Sequence, residues 1–319
     1  MKWRKLGQIF EFSKSPFKNE FVSHSQSPQA VVFDNFVRVY FSTRKKDKTG
    51  KFLSHVQFVD FDKKFENIIN YSKHEVIPLG NLGCFDEHGI FPFSPTSFGD
   101  KLYAYTDGWT RRVSVDIDSG VGFAFSSDGG NTFKKLGDGP VLSSSLYEPF
   151  LVGDPFVRIF LGKFYMFYIF GKKWCEKTEE HEPERVYKIG YAISDDGINW
   201  KKMNREIIKD KIDENECQAL PTVIKIGGSY HMFFCYRHMI SFREKKEKAY
   251  RLGYAFSDDL VNWKRNDDKG GIAASDKGWD SAMMCYPHVF HCDEKIFLLY
   301  NGNEFGRFGF GIAVLEEMT

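Results

Sequence analysis

Charge of one sign is what this chain has least of: 44 Lys and Arg stand against 43 Asp and Glu, a formal net charge of +1. So small a surplus leaves no global field to draw nucleic acid or an anionic membrane, so neither is expected as a partner. No apolar run approaches the about 18 residues of a membrane-spanning helix. The opening MKWRKLGQIFEFSK has neither the apolar core nor the small-residue cleavage site of a secretory leader, and a cytoplasmic protein is expected. Cys84, Cys175, Cys217, Cys235, Cys285 and Cys292 show no Cys-x-x-Cys spacing in a chain long enough to build its own core. That argues against a disulfide framework and leaves free thiols. The Asp-rich segments miss the calcium-loop pattern, because no glutamate follows at the required distance.

What is abundant is Phe and Tyr, 33 and 15 residues, types that suit pleated, half-buried surfaces. Three stretches repeat one pattern: GFAFSSDGGNTFKK from Gly122, GYAISDDGINWKK from Gly190 and GYAFSDDLVNWKR from Gly253. Each is preceded by a proline-led strand and a turn, as in PTVIKIGGSYHMFFCYR from Pro221 and again from Pro155 and Pro95; a looser copy starts at Pro28 and the last at Pro287. Strand, turn, strand, loop, strand, Asp-rich turn and strand make one four-stranded blade. An all-β, five-bladed β-propeller is expected, one domain over 1–319 with blades at roughly 24–75, 86–142, 148–210, 216–272 and 280–319. The last copy stops before its fourth strand. Trp3-Arg4-Lys5 matches Trp200-Lys201-Lys202 and Trp263-Lys264-Arg265, so residues 1–12 are expected to complete that blade and close the ring.

The Ser-Asp-Gly clusters fall between third and fourth strands, where Asp and Gly make turns, and read as scaffold. Chemistry is expected on the opposite face, where the first strands begin and the second strands end. His24, Asp86, Glu87, His88, Glu148, Asp154, Glu216 and Asp280 enter there from the blade starts. Arg44, Trp109, Arg237, Asn301, Asn303 and Arg307 enter from the second-strand ends. Carboxylates crowded in a partly dry pocket take separated pKa values, the equipment of glycoside hydrolysis. Aromatic rings suit sugar faces, and Arg and Asn suit hydroxyls, carboxylates or phosphates. A His/Cys metal set would need several of His24, Cys84, His88, Cys217, Cys285 and His288 within bonding range, and neither a metal nor another cofactor is expected.

The repeated P-x-V, aromatic-strand and S-x-D-G-x-x-W pattern covers nearly the whole chain and resembles the five-bladed propeller glycoside hydrolases, the superfamily of families 32, 43, 68 and 130. YNGNEFGRFGFGIAVLE, with GWDSAMMCYP before it, is most similar to a glycosidase-like branch often found near sugar-biosynthesis genes. The resemblance implies that Asp154, in Gly-Asp-Pro-Phe-Val, is the residue that orients the acid and tunes its pKa. It further implies that Glu216 is the general acid, and Glu216-Cys217 also resembles the Glu-Cys pair of family 32. The departure is in blade one, where those families place an aspartate base or nucleophile and this chain has His24-Ser25-Gln26-Ser27-Pro28. Asp86 or Glu87 acting across a water, His24 as base, or phosphate as nucleophile held by Arg44, Arg237 or Arg307 would each fill that gap. The expected function is cleavage of a glycan or sugar conjugate by carboxylate catalysis. The alternatives are a glycoside phosphorylase or a non-catalytic sugar or nucleotide-sugar binding propeller.

Overall fold

In the computed structural model, residues 1–179 and 181–318 are described; Glu180, in the charged loop 171–186, and Thr319 lie outside them. The chain is all-β. After β1 (Lys2–Glu11) come β2 (Ser23–Val32), β3 (Val37–Lys46), β4 (Phe52–Phe61) and β5 (Ile68–Tyr71), then β6 (Gly89–Phe98), β7 (Lys101–Arg111), β8 (Ile117–Ser126) and β9 (Lys134–Lys135). A third group holds β10 (Val152–Phe160), β11 (Lys163–Cys175), β12 (Glu184–Ser194) and β13 (Lys201–Lys202). A fourth holds β14 (Cys217–Ile226), β15 (Ser229–Arg237), β16 (Arg251–Ser257) and β17 (Lys264–Arg265). The chain ends with β18 (Cys285–Cys292), β19 (Lys295–Asn301) and β20 (Gly309–Glu317). Each group is an antiparallel four-stranded meander, and a single parallel bridge, Ser54 to Gly89, joins the first two into one sheet. As the Trp-Arg-Lys match implied, β1 pairs antiparallel with β20, Trp3 opposite Leu315 and Lys5 opposite Ala313, and supplies the fourth strand of the last sheet.

The inner strand β14 is buried over eight successive residues, whereas β9, β13 and β17, outer strands of three sheets, are two residues long and partly exposed. Apolar faces meet between sheets. Trp200 and Phe164 of the third pack on Tyr105 of the second, and Trp3 and Leu298 of the last on Phe233 of the fourth. Phe10, Phe290 and Phe310 of the last sheet pack on Phe41, Val59 and Phe61 of the first. First strands also neighbour one another: β2 lies against β6 and β18, β10 against β6 and β14, and β14 against β18.

Local hydrogen bonds explain the repeat. Asp196 Oδ1 accepts from the N–H groups of Ile198 (2.9 Å) and Asn199 (2.7 Å), Ser194 Oγ accepts from Gly197 N–H, and Trp200 Nε1 donates to Gly197 O. Asp259, Ser257 and Trp263 repeat this geometry around Val261 and Asn262. These carboxylates are consumed by a turn.

The second basic residue of each repeat has a separate task. Lys135 pairs with Asp86, Lys202 with Glu148 (2.6 Å), Arg265 with Glu216 (2.6 Å) and Lys5 with Asp280 (2.7 Å). Each pair ties the outer strand of a sheet to the segment leading into its inner strand. Tyr168 Oη adds a bond to Glu148 (2.8 Å), and Tyr300 Oη one to Asp280 (3.1 Å).

Candidate functional site

The inner strands share a backbone device. Ser27, Asp154, Leu220 and Tyr286, each directly before a proline, have φ between 48 and 57°, and each sits in a β-bulge. Left-handed backbone is costly for such residues and persists only where surroundings hold it. Here neighbouring sheets do so. Ser27 N–H donates to Asn301 Oδ1 (2.8 Å), Asp154 N–H to Asp107 Oδ2 (2.9 Å), and Leu220 N–H to Asp154 Oδ2 (3.0 Å). A Cβ at Gly153 would collide with the Asp107 carboxylate, so glycine is required for this approach.

Asp107 thus receives the Asp154 backbone N–H, and the two buried carboxyl groups lie near enough for the charge of Asp154 to act on Asp107. Burial first, and then the charge of Asp154, push Asp107 well above the ordinary carboxylate range. Burial likewise lifts Asp154, to about 7, against the opposing Leu220 N–H and the Arg185 guanidinium. Two like charges so close and so dry cannot both ionise cheaply, so the pair holds a proton near neutral pH. Asp154 Oδ1 makes no hydrogen bond among the described residues, which leaves it free to meet a ligand.

Aromatic residues border this pair. The Tyr286 ring meets Phe91 edge-on at 5.3 Å and Tyr250 at 5.7 Å. Arg237, 2% exposed, lies 3.5 Å from the Phe242 ring centre and donates through Nε to Tyr187 Oη (3.2 Å), which is 2.6 Å from Tyr250 Oη. Burial pushes Tyr187 up to about 12, opposed by the Arg237 charge. Phe242 and Arg243 belong to the loop at 238–249, and Arg243 bonds Glu184 (2.9 Å), joining that loop to the start of β12.

A cationic group lies near Tyr286. Arg44 is close enough to Tyr286 to feel its charge and bonds Gln26 Oε1 (3.2 Å), with no carboxylate in ion-pair range among the described residues. His24 (φ 74°) is depressed to about 3 by burial, then by Arg44 and Arg307, and is neutral at physiological pH. Its Nδ1 lies 2.6 Å from Ser23 Oγ, and Arg307 also pairs with Glu304.

The structure thus brings together His24, Arg44, Asp154, Arg237 and Arg307 of the residues expected from sequence. It takes Glu216, Asp86, Glu148 and Asp280 elsewhere, and for these the expectation of a free acid is corrected. Glu216 is fully buried: Oε1 accepts from Arg265 and Gln218, and Oε2 from Lys211 N–H and Ile212 N–H. No lone pair faces a ligand, and the other three are held in the matching ion pairs of their own sheets. Asn301 spends Nδ2 on Ser25 O and Gly309 O, and Asn303 ties Ala282 and Gly278. Glu87 caps Gly83 N–H, while His88 stacks on Trp109 at 6.0 Å, forming a separate rim group.

Asp107, Arg185, Tyr187, Tyr250 and Tyr286 were not anticipated. Two carried a signal: Tyr-Thr-Asp107-Gly108 in the second strand of its sheet matches Leu-Tyr-Asn301-Gly302 in the last, and Tyr286 precedes a proline as Asp154 does. Among the described residues no three His, Cys, Asp or Glu side chains gather as a metal site, and no helix is long and apolar enough to cross a membrane. A cleft of about 570 Å³ on the first sheet, lined by Glu20, Lys45, His55 and Glu75, contains none of these groups.

The fold is that of the propeller glycoside hydrolases. A solved glycoside hydrolase superposes with a TM-score of 0.72 at 17% identity, covering 98% of this chain and 92% of its own. An endo-arabinase from Bacteroides thetaiotaomicron superposes with a TM-score of 0.61 at 11% identity over 98% of both chains. Two Mycobacterium tuberculosis proteins, uncharacterized protein MT1551 and uncharacterized protein Rv1502, are each 32% identical to the chain over 317 residues, 99% of its length and 100% of theirs. The chain belongs to the family of these two proteins. A beta-1,2-mannobiose phosphorylase from a Thermoanaerobacter species is 32% identical over 109 residues, covering 32% of this chain and 34% of its own. No profile of a known protein family matches the chain.

Proposed function

We propose that the protein is a carbohydrate-active enzyme that cleaves a glycosidic bond, with Asp154 as proton donor and Asp107 holding the proton on the pair. The carrying observation is the burial of Asp154, whose backbone N–H donates to Asp107 Oδ2: burial raises its carboxyl to about 7 beside aromatic residues suited to a sugar ring. The proposed scaffold is a closed ring of five blades, supported by the neighbouring first strands and by the packing of the last sheet on the first.

The cationic group favours a phosphorolytic form of this reaction. A hydrolase would need a second free carboxylate across the sugar. Arg44, with a neutral His24 and Arg307 near it, is suited instead to an oxyanion. The partial likeness to a mannobiose phosphorylase points the same way. The test is turnover of a panel of oligosaccharides with and without inorganic phosphate, for the wild type and Asp154→Asn. Phosphate-dependent release of a sugar 1-phosphate that the variant loses supports the phosphorolytic form, and phosphate-independent release of free sugar supports hydrolysis. Turnover unchanged in Asp154→Asn rejects the assignment of the acid.

A further inference from the structure

The cleft of about 570 Å³ on the first sheet takes no part in the proposed chemistry, yet its size falls among small-molecule sites, about 300–1,000 Å³. It lies between the turn Pro16–Asn19 and the strands β3 and β4. Register puts it on the far face of the sheet from the cationic group. His55 and Gln57 of β4 stand opposite Thr43 and Phe41 of β3, so they share the face of Lys45, and its neighbour Arg44 turns to the other.

Phe17 and Phe21 give the cleft an apolar floor, held from beneath where Phe17 meets Phe41 edge-on at 5.6 Å and Tyr71 at 5.7 Å. On its wall His55 Nδ1 bonds Glu75 Oε1 (2.8 Å), and the His55 ring lies 5.9 Å from that of Phe21. An ionised carboxylate only accepts, so Nδ1 carries the hydrogen. His55 Nε2 is shielded from solvent and has no hydrogen-bond partner, a costly state for a buried polar atom. Lys45 Nζ bonds Glu20 Oε1 (3.0 Å) and sits 5.7 Å from the Phe21 ring centre.

These groups select the occupant. Lys45 and Lys73 balance Glu20 and Glu75 in the lining, so neither an anion nor a cation is favoured. No metal-binding trio forms among the described residues, although His55, His74 and Glu75 share the cleft. Nε2 is an acceptor in the uncharged ring and a donor in the charged one, and a hydroxyl group satisfies either.

We infer that the cleft binds one neutral pyranose unit, at a site separate from the Asp154 centre. A sugar hydroxyl bonds His55 Nε2, the apolar face of the ring meets the Phe17 and Phe21 floor, and further hydroxyls meet Glu20 and Lys45. The His55 side chain remains 15% exposed, so a small turn about its bond to Glu75 brings Nε2 to the occupant. The choice of a sugar rests on the carbohydrate reading above, whereas occupancy is read by binding and needs no turnover.

The probes are the methyl α-glycosides of glucose, mannose and galactose, titrated into the full chain carrying nitrogen-labelled histidine. The His55 Nε2 resonance is the one missing from His55→Phe. At least one glycoside is expected to shift it saturably, and the dissociation constant, read by calorimetry, is expected to rise at least tenfold in His55→Phe, which keeps a ring against Phe21. Wild-type crystals soaked in each glycoside are expected to show a sugar against His55, and they decide alone if His55→Phe does not fold. A resonance unmoved by all three, equal affinity in a folded His55→Phe, or a cleft left empty in the crystals overturns the site. The same binding is expected in Asp154→Asn, so unchanged turnover in that variant rejects the proposed acid and leaves the cleft untouched.

Discussion

Glu216 and Asp154 are both buried acids at the start of an inner strand, yet their amides should move stability in opposite directions. Glu216→Gln must place an NH2 either against the Lys211 and Ile212 N–H groups or against Arg265 and Gln218. Donor faces donor in both orientations, and Arg265 keeps only Asp267 as its anion. Breaking one partner of such a buried pair costs about 3–5 kcal/mol. At the entropy of unfolding for a chain this long, that is a fall in melting temperature of about 4–8 °C.

Asp154 has the reverse sign. Its carboxyl is raised from 3.8 to about 7, so between those values the folded protein holds a proton that the unfolded chain releases. Stability from this group is full below pH 3.8, is lost as pH rises to about 7, and is flat above that. The loss is on the order of 4 kcal/mol. Asp154→Asn keeps an oxygen to accept from Leu220 N–H and offers Asp107 a neutral neighbour. It should therefore match the wild type at pH 4 and exceed it at pH 8. Urea melts of both variants at the two pH values measure this directly. A destabilised Asp154→Asn at pH 8, or a harmless Glu216→Gln, would refute the division into site and scaffold acids.

Three further outcomes follow from the same contacts. If Asp154 is the proton donor, turnover should fall as pH rises through about 7; a pH–rate profile flat across that range contradicts the assignment. Arg44→Gln should weaken stabilisation by inorganic phosphate at least tenfold in half-saturating concentration, read by thermal shift, because it removes a cation without a carboxylate partner. Trp3→Ala should cost about 3–5 kcal/mol, since Trp3 donates to Gly270 O (2.9 Å) and packs edge-on against Phe233 at 5.5 Å. Loosening β1 also exposes the edge of β20, so size-exclusion chromatography of that variant should show association.

The repeat was legible in sequence because its hydrogen bonds are local. Asp196 satisfies groups two and three residues away, so the Ser-x-Asp-x-x-x-Trp spacing and the geometry are the same fact. The Lys-Lys/Arg ending was visible but its task was not, since Arg265 finds Glu216 49 residues earlier. Distance from a blade's proline gives the depth of an acid along the axis. It does not say which way the side chain turns, and one residue of offset in a strand reverses the face.

The bulge removes that ambiguity. In four of the inner strands a positive φ at the residue before the proline sets it apart from the regular strand positions, while Glu148, Glu216 and Asp280 are held by bases of their own sheets. At those positions the chain has Ser27, Asp154, Leu220 and Tyr286, and only Asp154 can ionise as an acid. The second component of the proposed reaction then has to come from outside the set. The segment His24 to Pro28, where sequence departs from the two-carboxylate pattern, is the one that Arg44 and Arg307 flank. An aspartate there would be an anion paired with two arginines. A neutral histidine leaves the charge of Arg44, which has no carboxylate in ion-pair range among the described residues, available to a ligand instead.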